Sequence, residues 1–212
     1  MPCGTTSGLR GVQSKRAQHE IILFKQGIAH LHGYQVQASS RQTLLAAIAV
    51  YNEWMQTLSP SAQKIQDQLK SLGYDYAVIE HAESTRTAQE AADRAGCALA
   101  QIVKSLIFKG KESGKPILVL TSGANRVNEK RISEYAGEPI GRADADFVRA
   151  VTGFAIGGVP PVGHLQKMET YIDEDFLQYP TIWAAAGTPN AIFELKTEDL
   201  QKMTDGRVVR VK

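Results

Sequence analysis

Cysteine is scarce: Cys3 and Cys97 are the only two in 212 residues. Two thiols without metal-ligand spacing cannot build a disulfide framework, which points to a reducing compartment. Long apolar runs are also missing. The longest candidate, residues 44–50, falls far short of the roughly 20 residues a helix needs to cross a bilayer, so no membrane span is expected. Nor does one sign of charge dominate. A formal net charge of +2 excludes a histone-like tail, so DNA is not an expected partner, although local basic clusters remain able to hold a phosphate backbone.

Familiar chemical signatures are missing as well. Gly157-Gly158 belongs to no G-x-G-x-x-G fingerprint and no G-x-x-x-x-G-K-[ST] occurs, which removes the phosphate cradles of Rossmann and P-loop proteins. His19, His30, His32, His81 and His164 show neither H-E-x-x-H nor cysteine-paired spacing, so no metal or cofactor is expected. No serine sits in a G-x-S-x-G elbow, and neither cysteine has a base that spacing identifies. Covalent catalysis therefore has no obvious nucleophile.

What remains is a chain with 43% hydrophobic residues, enough to bury one sizeable core. Residues 1–54 carry only two acids, Glu20 and Glu53, against Arg10, Lys15, Arg16, Lys25 and Arg41. That bias is shared by organellar transit segments, but an added leader or unstructured extension is the favoured reading. The expected compartment is the cytoplasm. Residues 44–54 have helical character, and Ser59-Pro60 supplies an N-cap and N1 pair that opens a new helix. The expected division is a 1–54 extension and a 55–212 domain.

Within that domain Ile65, Leu69 and Leu72 form a helical stripe stopped by Gly73, and a strand is expected over 76–79. Thr87-Ala88-Gln89-Glu90 is a capping box for a helix ending at Gly96. The strand through Lys104 should turn at 111–115 and pair with 116–120. Helices are predicted from Asn128 to near Gly137 and from Asp144 to near Gly153, with further strands over 154–156, 181–185, 192–195 and 208–211. Helices interleaved irregularly with strands, without repeats, indicate an α+β or α/β domain with a mixed sheet.

Lys104 is the residue that needs a reason. It lies in Gln101-Ile102-Val103-Lys104-Ser105-Leu106-Ile107-Phe108, where period-2 alternation puts it on one face with Ile102, Leu106 and Phe108. An ammonium there costs several kcal/mol unless a carboxylate or a ligand answers it. A second feature is Gly157-Gly158-Val159-Pro160-Pro161-Val162-Gly163-His164, a rigid loop that allows close backbone approach.

These blocks, in order with Thr87-Ala88-Gln89-Glu90-Ala91-Ala92, Val151-Thr152-Gly153 and Ala186-Gly187-Thr188-Pro189-Asn190, resemble the YbaK and prolyl-tRNA-synthetase-associated editing family over about residues 58–212. The resemblance implies a compact α+β domain with a mixed, barrel-like sheet that hydrolyses amino acids wrongly attached to tRNA, chiefly proline tRNA, with prolyl-tRNA synthetase as a further partner. It implies that Lys104, with Gly157 and Gly158, carries catalysis. Phe108, Pro161, Gly163, His164, Gly187 and Thr188 would bind substrate, the glycine-proline loop walling the aminoacyl pocket. Relatives differ at the position of His164. Hydrolysis without a protein nucleophile, as the family implies, agrees with the missing nucleophile above.

The physical logic stands beside the resemblance. Side chains differing by one methylene are separated by only about 1–3 kcal/mol, so small amino acids call for a second, hydrolytic sieve. Bland readings compete at each position: Lys104 paired to a core-edge carboxylate, the glycine-proline loop as a plain connection, Arg126, Lys130 and Arg131 as a solvated helix face, Thr188 and Asn190 as turn formers. Three functions follow: a freestanding aminoacyl-tRNA deacylase, a non-catalytic aminoacyl-tRNA or synthetase-binding module, and an enzyme using Lys104 as a Schiff-base amine.

Overall fold

The computed structural model describes residues 28–31, 34–37, 58–82 and 87–212. The chain forms two units, Met1–Gln56 and Thr57–Lys212. In the first, strands β1 (Ile28–Leu31) and β2 (Tyr34–Gln37) pair antiparallel with Leu31 opposite Tyr34. The helical character expected over 44–54 lies outside the described residues. Among the described residues no helix is long and apolar enough to cross a membrane.

The second unit runs α1 (Pro60–Ser71), β3 (Val78–Glu80), α2 (Ala88–Ala95), β4 (Ile102–Gly110), β5 (Pro116–Ser122), α3 (Glu129–Ala136), β6 (Ile140–Arg142), α4 (Ala145–Thr152), β7 (Glu169–Asp173), β8 (Thr181–Ala185), β9 (Ala191–Lys196), α5 (Thr197–Thr204) and β10 (Arg207–Val209). Its strands form one mixed sheet in the order β10-β7-β5-β4-β8-β9-β3, with β6 beside β4 and the helices flanking it. β4 and β5 are a hairpin that sets Lys104 opposite Thr121, while β8 runs parallel to β4.

Local chemistry explains most boundaries. Thr87 Oγ1 accepts from Glu90 N, Asn128 Oδ1 from Arg131 N and Asp144 Oδ1 from Phe147 N, so each helix start satisfies an orphan donor. Gly96, Gly137 and Gly153 end the same helices in the left-handed region. Ser59 departs from expectation. It precedes Pro60, but its hydroxyl and its N–H both donate to the Glu80 carboxylate, so it fastens α1 to the end of β3 instead of capping the helix.

Other corrections have equally local causes. Leu72 leaves the apolar stripe and is 43% exposed, whereas Ala62, Ile65 and Leu69 are fully buried. No strand forms over 154–156, because Phe154 N donates to Thr152 Oγ1 and Ala155 O accepts from Gly158 N, leaving those groups spent within the loop. β7 was not anticipated. It lies between β10 and β5, parallel to both, and four of its five residues are buried, so it shows no alternation.

The main core joins Ile65 and Leu69 of α1, Val103 and Ile107 of β4, Phe176 and Phe193. Two smaller clusters lie on the other face of β4: Ile102 with Ala91 and Ala92 of α2, and Phe108 with Ile132 and Tyr171. Thr57–Lys212 is a compact unit that holds all three of these clusters, so residues 57–212 expressed alone are expected to unfold cooperatively with the melting temperature of the full chain. A drop of more than about 4 °C, roughly 1–2 kcal/mol for a domain of this size, would count against a self-contained unit.

His164 gives a second test. Its Nε2 donates to Pro160 O at 2.8 Å. Burial pushes the imidazole pKa below its usual value, opposed by the Pro160 carbonyl and reinforced by Lys64. The unfolded chain therefore binds more protons as pH falls below about 6.5, and stability is lost through that window. His164→Gln should flatten this acid-side slope in urea unfolding measured between about pH 7.5 and about pH 5; an unchanged slope would refute the assignment.

Candidate functional site

β5 pairs with one edge of β4 along almost its whole length, from Val103 to Lys109. The other edge is shared. β8 takes Ile102 and Val103, and β6 takes Phe108 to Gly110. Between them, among the described residues, no strand pairs on that edge with Lys104, Ser105, Leu106 and Ile107, and the sheet is split. The Ile107 carbonyl accepts from Ala143 N at the edge of this split. A cavity of about 860 Å³ opens there, walled by both faces of β4, by the start of α2, by Trp183 to Ala185 of β8 and by Gly157, Thr188 and Pro189. That size lies within the range of small-molecule sites.

Lys104 stands in this wall with a half-buried side chain. Ile102 and Phe108 pack in the two outer clusters while Val103 and Ile107 enter the main core, so Lys104 shares the outer face with Ile102, Leu106 and Phe108. Its Nζ donates to Gly123 O at 3.1 Å and to Asn125 O at 2.5 Å. Among the described residues it forms no ion pair. Burial pulls its pKa below the usual lysine range, the Asp173 carboxylate opposes that pull and Arg126 adds to it. Two carbonyls thus hold the cation at the cavity while leaving its charge uncancelled by contact with an anion.

The other expected residues divide. Phe108, Gly157 and Thr188 line the cavity with Lys104. Gly157 has φ +93° at the third position of the turn closed by Gly158 N donating to Ala155 O, the conformation a type II turn requires. Gly158, Pro161, Gly163, His164 and Gly187 do not form part of the wall. A Cβ on Gly158 would lie 2.7 Å from Thr188 Cα, and Gly158 O accepts from Gly187 N. Gly158 therefore marks a crossing of two loops, and its N–H is already engaged. Gly163 and Gly187 press on α1: a Cβ would come within 2.9 Å of Ile65 Cδ1 at the former and 2.6 Å of Ser61 O at the latter.

Thr188 is both a turn former and a wall residue. Its Oγ1 donates to Glu80 Oε1 and accepts from Asn190 N. Burial raises the Glu80 pKa, but the hydrogen bonds from Ser59 and Thr188 outweigh it and hold the carboxyl below the usual range. One carboxylate thereby ties the start of α1, the end of β3 and the loop behind the cavity.

Several wall residues escaped the sequence reading: Ser105, Asn125, Arg142 and Trp183. Ser105 Oγ is buried and has no hydrogen-bond partner among the described residues. A buried hydroxyl left unpaired costs about 1–3 kcal/mol, so it is a natural partner for a ligand group. With no base among the described residues within hydrogen-bonding reach, it is not arranged as an activated nucleophile. Among the described residues no cluster of three or more His, Cys, Asp or Glu could hold a metal ion. The site offers a fixed cation, an unpaired hydroxyl, a glycine turn and apolar walls, which suits stabilisation of charge developing on a bound ester.

Comparison with known proteins agrees with this chemistry. Residues 82–203 match the model of the aminoacyl-tRNA editing domain. The chain is 30% identical over 131 residues to the uncharacterized protein YwhH of Bacillus subtilis, covering 62% of this chain and 83% of that one. It is 25% identical over 130 residues to EbsC of Enterococcus faecalis, named as a candidate Cys-tRNA(Pro)/Cys-tRNA(Cys) deacylase, covering 61% and 79%. A crystal structure of a candidate trans-editing enzyme for prolyl tRNA synthetase superposes with a TM-score of 0.71 at 46% identity, over 74% of this chain and 99% of the other. With more than half of its residues matched by the family model, and a cavity of suitable chemistry inside the matched region, this chain belongs to the aminoacyl-tRNA editing domain family.

Proposed function

We propose that the protein is a freestanding deacylase that hydrolyses the ester between a small amino acid and the 3′ end of a tRNA on which it does not belong. Proline tRNA is the favoured carrier, prolyl-tRNA synthetase the favoured partner, and the cytoplasm the expected place. The observation that carries this reading is Lys104: a cation held by two carbonyls, in contact with no carboxylate among the described residues, at the split in the sheet. The family match and the names of EbsC and the trans-editing structure support it.

An aminoacyl ester is already activated, so the site has to orient it, admit water and stabilise the oxyanion. Lys104 supplies the charge. The Gly157 turn brings backbone close to the same space, and Ser105 Oγ offers a hydrogen bond to a polar group of the aminoacyl moiety. Phe108, Ile107 and Trp183 shape apolar walls that reward a fitting side chain and orient the terminal nucleoside.

Lys104→Met should keep the melting temperature near that of wild type and lower deacylation at least about 100-fold, the scale of losing one oxyanion-stabilising group. The measurement is release of labelled amino acid from a panel of charged tRNAs. Alanyl, cysteinyl or similarly small esters on proline tRNA should be hydrolysed and prolyl-tRNA spared. Binding without release by wild type would instead favour a non-catalytic module, and rapid loss of proline would defeat proofreading altogether.

Gly158→Ala addresses the loop crossing. Because the new methyl group meets the Thr188 backbone and not the cavity, stability should fall by about 1–3 kcal/mol, with activity lost to a similar extent for every accepted ester. Selective loss of the largest ester would show that position 158 limits substrate size after all.

A further inference from the structure

The direct partners of Lys104 are main-chain carbonyls, and a carbonyl points where its loop is held. We propose that Asp173 is a positioning residue for Lys104, acting through Asn125; the proposal rests on reading Lys104 as the cation that serves the ester. Asp173 ends β7 and is 1% exposed. Its Oδ2 accepts from Asn125 Nδ2 at 2.8 Å, Ser122 N at 3.0 Å and Thr121 Oγ1 at 3.2 Å, and its Oδ1 from Asp175 N at 3.2 Å. Asn125 Nδ2 also donates to Asp175 Oδ2 at 2.8 Å. With both carboxylates on the amide, the side chain of Asn125 cannot turn without losing two charge-assisted bonds.

The rest of the loop is equally constrained. Gly123 N donates to Ile102 O at 2.7 Å and Asn125 N to Ser122 O at 3.0 Å. A Cβ on Gly123 would lie 2.2 Å from Leu99 O, so that backbone has no room to move toward Leu99. Thr121, which donates to Asp173, is the register partner of Lys104. One buried anion therefore fixes the hairpin and loop from which Gly123 O and Asn125 O meet the ammonium. A buried carboxylate is costly unless it is hydrogen-bonded and faces a compensating charge. Asp173 has four donors, and Lys104 is a cation on which its field acts. Arg126 acts against it from the same loop, while Lys212 pairs with Asp175 on the outer side.

A merely structural Asp173, capping the short 3₁₀ turn Glu174–Gln178, predicts something different: lost stability with Lys104 unaffected. The test uses the full chain as wild type, Asp173→Asn and Asn125→Ala. Acetic anhydride at about pH 8 reports the reactivity of Lys104 by peptide mass spectrometry, with Lys109 of the same strand as internal reference. Loss of the anion, whose field favours the protonated ammonium, should raise relative acetylation of Lys104 at least about threefold, and loss of the tether should change it by a similar factor. In the deacylation assay kcat should fall about 10–100-fold with KM nearly unchanged, as when an outer partner that orients a functional group is removed. Unchanged Lys104 reactivity in both variants overturns the proposal, whatever happens to stability. Should Asp173→Asn fail to fold, Asn125→Ala decides alone, since it leaves the buried carboxylate in place. The acetylation arm needs no tRNA, so a wild-type protein that deacylates nothing would sink the functional reading while leaving the positioning question answered.

Discussion

The structure depends on an interruption. β4 is the strand on which the sheet turns, paired with β5 along almost its whole length on one side and shared by β8 and β6 on the other. A continuous partner would have satisfied the edge over Lys104 to Ile107 and closed the sheet. Two short partners leave a gap instead, and the gap gives a cavity access to both faces of one strand. Open edges are ordinarily a liability that proteins cover or shorten. Here the gap is lined by α2, by the loop after β5 and by the turn at Gly157, so the open edge is framed on several sides.

Charge is handled by distance. Placing a carboxylate directly on Lys104 would have cancelled the cation that a ligand needs. Leaving it unpartnered would have cost the full penalty of burying an ion. The protein takes an intermediate course in which two carbonyls solvate the ammonium and the balancing anion, Asp173, sits one layer back. The same economy appears at Glu80, where one carboxylate accepts from Ser59 and Thr188 and joins three segments behind the cavity.

The glycines divide their labour by position. Gly157 serves a turn that requires positive φ and is open to the cavity. Gly158, Gly163 and Gly187 serve close packing, of loop on loop in the first case and of loop on α1 in the others. The loop that carries Gly157, Gly158 and Gly163 is held in place because Pro160, Pro161 and Val162 are buried. What reaches the cavity is therefore a small part of a conspicuous motif, while most of that motif holds the small part in place.

By itself the sequence determined the helix starts at Thr87, Asn128 and Asp144, the glycine stops, the β4 and β5 hairpin and the face on which Lys104 lies, because capping, turn chemistry and period-2 alternation act over a few residues. It also determined the ordered motifs by which the family is recognised. It did not disclose β7, whose burial between two parallel neighbours erases any alternation, nor the diversion of Ser59 to a carboxylate 21 positions away. Ser105, Asn125, Trp183 and Asp173 were equally hidden, since nothing in their local spacing shows where a strand will lose its partner or which loop a buried carboxylate will grip. Those are decisions of the sheet order, and sheet order arises from contacts between residues far apart in the chain, which only the tertiary structure brings together.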